Sequence, residues 1–192
     1  DSGISSTDDT TNSRTPQFEI RGLPAIADSL HLFVKSGISN NLVSKTRKSY
    51  NVYKDTLEVP LAEQLGTGNY IISYTVIDSA GNTSLPSPPD TIYVDFTPPN
   101  EPGLPLLESA SDFGESTSDN ITNQDRVDIT LVDILSGNSG LLYRISGDDT
   151  TFADSSLLSP ADEKLTFTYG TPETNTYKFT SVQVDTAGNR SG

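Results

Sequence analysis

"YIISYTVIDSAGNTS", Tyr70 to Ser84, sets the fold class. Its first eight residues are mostly β-branched or aromatic, which is the signature of a strand. "DSAGN" then breaks the run: Gly accepts backbone conformations closed to other residues, and Asp and Asn hydrogen-bond to nearby amides. The same order returns as "YKFTSVQVDTAGNRS", Tyr177 to Ser191, so that Tyr70 falls on Tyr177 and Asn82 on Asn189. A second block behaves alike. "DSGISSTDDTTN", Asp1 to Asn12, returns as "DFGESTSDNITN", Asp112 to Asn123, with Asp, Gly, Ser, Asp, Thr and Asn in matching places. Two blocks repeated in one order at nearly one offset mean tandem copies of a single domain.

Short runs rich in Val, Ile, Thr, Tyr and Phe recur along the whole chain, and helical periodicity is almost absent. Strands are predicted near Gln17–Arg21, Leu30–Lys35, Tyr50–Lys54, Thr56–Val59, Asn69–Ile77 and Thr91–Asp95. In the second copy they fall near Leu104–Ser109, Arg126–Val132, Leu141–Ser146, Lys164–Thr168 and Thr176–Val184. About seven short strands per hundred residues predict an all-β chain of two antiparallel β-sandwich domains. The boundaries are set at 1–97 and 98–192. They meet in "VDFTPPNEPG", Val94 to Gly103, whose prolines make a short, stiff joint. On the repeat alignment copy one lacks its first strand and copy two its last. A piece of a longer array, with a sheet edge open in each copy, is therefore expected.

Charge narrows the function. Acidic residues number 26 against 12 basic, for a net charge of −14, and 18 of the acids are Asp. Such a polyanion is a poor partner for nucleic acid, whose phosphates need Lys and Arg. Cysteine is absent, so thiol catalysis and Cys-based metal sites are excluded, and His31 is the single histidine. No apolar run nears the roughly 20 residues of a membrane helix, so membrane insertion is not expected. Any export or anchoring signal is expected elsewhere in a longer protein. Catalysis has no support either, since the acids sit in turns and there is no Trp to stack a sugar.

The aspartates point to a cation. If successive strands alternate between two poles, the loop Asp1–Asn12 lies at the far pole of copy one, beside Asp95. The turn Asp185–Asn189 lies at the near pole of copy two. Asp1, Asp8, Asp9, Asp95, Asp185 and Asn189 are thereby expected to converge on the joint. Carboxylates so crowded repel by about 1 kcal/mol per pair at ~4 Å in water and more near a protein surface. Ca2+ suits them, because it takes 6 to 8 oxygen ligands in flexible geometry. Asp78 and Asn82 in copy one, and Asp112, Asp119 and Asn120 in copy two, are expected to form half-sites whose partners come from neighbouring repeats, and so to bind weakly or be empty in this chain. Turn capping by Asp, Asn, Ser and Thr is the competing account of the same residues.

Tyr70 and Tyr177 are expected to be structural, and His31 to be a packed or surface residue. "KTRK", Lys45 to Lys48, is assigned to a solvated turn; docking an anionic glycan or an acidic repeat is its other use. Asp148 and Asp149 in "SGDDTTFADSS" are assigned to a polar hairpin, with a further ion as the alternative.

The two blocks, "TPQFEI" at Thr15–Ile20 and "VDFTPP" at Val94–Pro99 together resemble the bacterial Ig-like tandem repeats of large calcium-dependent secreted adhesins. Those proteins leave by type I secretion and include RTX-type and biofilm-associated members. The resemblance spans both copies, except that "QDRVDITL" replaces the Thr-Pro strand start in copy two. It implies two tandem Ig-like antiparallel sandwiches, bound calcium and a place outside the cell at the bacterial surface. It also implies neighbouring Ig-like repeats as partners, with any glycan or surface ligand held by other domains. The function it implies is a calcium-stiffened extender or spacer. The alternative is a binding module that takes a glycan or protein through the loops around Lys45 and Asp148.

Overall fold

Side-chain alternation shapes the first of two units, Asp1–Thr97 and Pro98–Gly192. The computed structural model describes residues 2, 5–21, 23, 27–49, 55–58, 63–146, 154–158, 164–168 and 176–192. In the first unit the strands are β1 (Thr10–Thr11), β2 (Gln17–Ile20), β3 (Ala27–Ser36), β4 (Leu42–Ser49), β5 (Asp55–Glu58), β6 (Gly68–Asp78) and β7 (Asp90–Val94). Along β3, Leu30, Leu32 and Val34 are buried, while His31, Phe33 and Lys35 between them face the other way. Tyr70 and Ile72 of β6 with Ile92 and Val94 of β7 continue the inner surface, which closes on Phe18 and Ile20 of β2 and on Leu65. Burying one such aliphatic side chain contributes about 1.5–3 kcal/mol. A slip of one residue would expose the whole row, so the core fixes the register.

The sheets run β1-β7-β6-β3-β4 and β2-β5, an Ig-like sandwich in which β3 lies between β4 and β6. The Tyr70 hydroxyl accepts the Gly66 N–H and donates to the Gly66 carbonyl, both at 3.0 Å. That is the structural role expected of it.

Three features depart from the sequence-based expectations. First, β1 pairs parallel with β7, Thr10 beside Tyr93 and Thr11 beside Val94, so the sheet is not wholly antiparallel. The reason is the free edge of β7. Its Tyr93 N–H donates to the Asp9 carbonyl and its Asp95 N–H to the Thr11 carbonyl, both at 2.9 Å, which satisfies donors that would otherwise lack backbone partners. Second, "KTRK" lies within β4 and not in a turn, in register with β3 from Ser29↔Ser49 to Lys35↔Leu42. Its outward cations hid an alternation whose inward member, Ser44, is buried. Third, the strand predicted over Leu104–Ser109 shortens to two residues. The strand predicted over Tyr50–Lys54 falls outside the described residues, and β5 occupies most of the next predicted run.

The second unit carries β8 (Leu106–Leu107), β9 (Arg126–Thr130), β10 (Ser139–Ser146), β11 (Asp154–Leu158), β12 (Lys164–Thr168) and β13 (Tyr177–Val184). Its sheets run β12-β9-β8 and β11-β10-β13. The wiring repeats that of the first unit, with β9·β12 answering β2·β5 and β10·β13 answering β3·β6. Val127, Ile129, Leu131 and Leu142 form the core, with Leu107, Ile134 and Phe179 against it. Tyr177 lies under the Arg144 guanidinium, 5.5 Å from the ring centre. Asp148 and Asp149 lie outside the described residues, and the strands flanking them, β10 and β11, pair antiparallel.

One polar side chain ties this unit together. Gln183, 1% exposed, sits opposite Gly140 in the β10·β13 pair. Its Oε1 accepts the Leu135 N–H at 3.0 Å and the Asn138 Nδ2 at 2.9 Å, and its Nε2 donates to the Asn100 carbonyl at 2.6 Å. Gly140 leaves room for the connection it pins: a Cβ there would stand 2.3 Å from Leu131 Cδ1.

Candidate functional site

The two "D-x-A-G-N" turns close themselves in the same way. The Asp78 carboxylate accepts the Asn82 N–H at 2.8 Å, the Ala80 N–H at 3.0 Å and the Asn82 Nδ2 at 2.9 Å. Asp185 accepts the Asn189 N–H and Nδ2, both at 2.9 Å. Gly81 and Gly188 take positive φ, 87° and 91°, where a Cβ would be strained. Turn chemistry thus employs all four of these candidate ligands. Hydrogen bonds from the Asn82 side chain and backbone hold the Asp78 carboxyl below the usual carboxylate range. Its contribution to stability is present above the unfolded-state value and is lost as pH falls through the folded one. In Asn82→Ala the Asp78 carboxyl titrates closer to its ordinary value, which carbon-detected NMR titration measures.

The twelve-residue loops also share several bonds. Asp8 Oδ1 accepts the Thr10 N–H at 3.2 Å, and Asp119 Oδ1 accepts the Ile121 N–H at 3.0 Å. Ser5 Oγ caps the Thr7 N–H as Ser116 Oγ caps the Ser118 N–H, each at 3.2 Å. Thr11 and Thr122 take the amides of Ser13 and Gln124 at 3.1 and 3.2 Å. Asp9 and Asn120, at equivalent places, adopt φ of 56° and 58°. Short Asx side chains tolerate that left-handed conformation better than most residues. Asp95 lies at the end of β7 beside Thr11, and its Oδ1 accepts the Thr97 N–H at 2.9 Å.

Asp112 is the exception. It is 2% exposed, its Oδ2 accepts the Asn120 N–H at 3.1 Å, and its Oδ1 has no hydrogen-bond partner among the described residues. Local turns do not need a buried carboxylate with one oxygen left over, and burying an uncompensated charge is costly. An oxygen of that kind suits a hard cation such as calcium, which takes carboxylate, carbonyl and hydroxyl ligands together. Among the described residues no group of three or more His, Cys, Asp or Glu is placed to hold a metal. Carbonyl, amide and hydroxyl oxygens of the loop would have to complete such a shell. Asp1, the counterpart of Asp112, lies outside the described residues. Burial is what the sequence did not disclose, since Asp112 and the exposed Asp119 read alike in a polar loop.

The family profile described as Bacterial Ig-like domain matches residues 1–96. A comparison with the curated proteins finds no match. Among solved structures the chain is similar to the chicken CNTN1 FN1–FN3 domains, at 12% identity and a TM-score of 0.62 over 95% of this chain and 58% of that one. It is also similar to a segment of two fibronectin type-III domains from chicken tenascin, at 14% identity and a TM-score of 0.38 over 95% and 90% of the two chains. The fibronectin(III)-like modules of Clostridium thermocellum CbhA match at 12% identity and a TM-score of 0.49 over 95% and 83%. At such identities the likeness is one of fold, and it is read from the CNTN1 fragment. This chain spans 58% of the length of that fragment. Half of the sequence answers to one family, and the second unit repeats the wiring of the first: the chain belongs to the bacterial Ig-like domain family.

Proposed function

We propose that this chain is a spacer segment of a bacterial cell-surface adhesin, placed outside the cell, in which the Asx-rich loops take up calcium. The role is structural and not catalytic. One observation carries the calcium part, the unpartnered Oδ1 of buried Asp112. Ser116, Asp119 and Thr122 of that loop each cap a backbone amide, and charge neutralisation at Asp112 is the task left over. Bound calcium would supply that positive charge, and loop oxygens around Asp112 would share its coordination. Extracellular modules work with dissociation constants near 10⁻⁴ to 10⁻³ M, so external calcium would fill such a loop and cytosolic calcium would not.

Thermal unfolding of the parent and of Asp112→Asn, each with calcium and with chelator, tests this. At free calcium about 100 times the dissociation constant, the parent gains ~2.7 kcal/mol, which raises its transition by roughly 10 °C or more. Asp112→Asn loses that gain. In chelator it melts at or above the parent temperature, because an amide leaves no charge buried. A parent transition indifferent to calcium, or a variant that keeps the full shift, ends the proposal.

A further inference from the structure

The outer face of the larger sheet in the first unit carries cations that have no ion-pair partner among the described residues. Of the 12 basic residues, Lys35, Lys45 and Arg47 fall on the outward positions of the β3–β4 hairpin. Lys45 stands opposite Phe33 and Arg47 opposite His31, so both cations project from one face, two residues apart. The Lys45 ammonium lies over the Phe33 ring, 5.3 Å from its centre, and Arg47 donates to Ser29 Oγ at 3.3 Å. Among the described residues neither they nor Lys35 has a carboxylate within ion-pair distance, although the chain holds 26 acids. Burial, and then the charges of Lys45 and Arg47, keep His31 below its usual range.

β4 is also a sheet edge. Its partner is β3 alone, so one side of an eight-residue strand presents backbone groups with no strand against them among the described residues. We infer that β4 accepts an extended acidic segment of another protein, which adds as a sixth strand and sets alternate carboxylates against Lys45 and Arg47. Strand addition supplies main-chain hydrogen bonds, and alternate side chains supply specificity. Directly opposite residues on one sheet face stand about 5 Å apart at Cβ, so cations two residues apart select acids two residues apart. Exposed Leu42 and Val43 continue the edge with apolar surface for the same segment. An acidic sugar fits less well, because Lys45 already covers the Phe33 ring that would stack it. Nor does a second copy fit: none of the 26 acids is followed by another acid two residues on.

The full chain, isotope-labelled and titrated by NMR, tests this with a short β-prone peptide carrying Glu-Val-Glu. Comparators are its Glu-Glu-Val isomer, the same peptide N-methylated at alternate amides, and an oligouronate. The first peptide is expected to shift the β4 amides. The isomer and the N-methylated form bind at least about tenfold more weakly, a difference of ~1.4 kcal/mol. Lys45→Glu with Arg47→Glu removes the shifts while the spectrum elsewhere is kept, and Lys45→Gln with Arg47→Gln weakens them. Equal binding by the N-methylated peptide or tighter binding by the oligouronate overturns strand addition. Absence of any shift at β4 would mean that the cations merely keep other edges away.

Discussion

Gln183→Leu lowers the stability of the second unit by about 3 kcal/mol, because the change keeps the volume and removes at once three hydrogen bonds of a buried side chain. The Leu135 N–H, the Asn138 amide and the Asn100 carbonyl all lose their partner. Leucine is apolar and fills the space, so the loss reports on unsatisfied polar groups and not on a cavity. Denaturant unfolding measures the total, and hydrogen exchange locates it as faster exchange of the β10 and β13 amides. Asn138→Ala combined with Gln183→Leu costs less than the two singly, since both remove one shared bond. Full additivity would show that the 131–138 connection is held by something else.

Leu30→Ala destabilises the first unit by about 3 kcal/mol, within the range for a buried Leu cut to Ala. Leu30 is completely buried in the row shared with Leu32 and Val34, and the strands on both sides of β3 prevent the gap from collapsing. Ile38→Ala is the control. That side chain is 92% exposed at the β3–β4 turn, and its loss should change stability by less than about 0.5 kcal/mol. Calorimetry of the two variants separates them. Equal effects would mean that apolar content matters here and burial does not.

Period-two alternation made β3 and β6 legible in sequence, because one face of each meets a core; β13 was legible from its Tyr, Phe and Val, although Ser181 and Gln183 are among the residues it buries. Alternation failed at β4, where lysine and arginine on the outward face gave the run the look of a turn. β1 was invisible for another reason: two threonines in a polar loop carry no pattern, and only the open edge of β7 makes them a strand. The "D-x-A-G-N" turns were readable as turns from local hydrogen-bonding chemistry alone. Both accounts of the twelve-residue loop drew on the same Asx residues, and spacing gave no means to divide them. In the structure Asp8 and Asp119 each accept a backbone amide, Asp9 and Asn120 take positive φ, and Asp112 keeps an oxygen without a partner among the described residues.

The parallel pairing of β1 with β7 has a mechanical meaning. A pull that enters ahead of Thr10 and leaves past Val94 draws two side-by-side strands in opposite directions along their length. The Asp9–Tyr93 and Thr11–Asp95 bonds then bear the load together in shear, whereas a hairpin pulled at its open end would unzip them one after another. For a domain strung within a tether, this small strand is a clasp against tension.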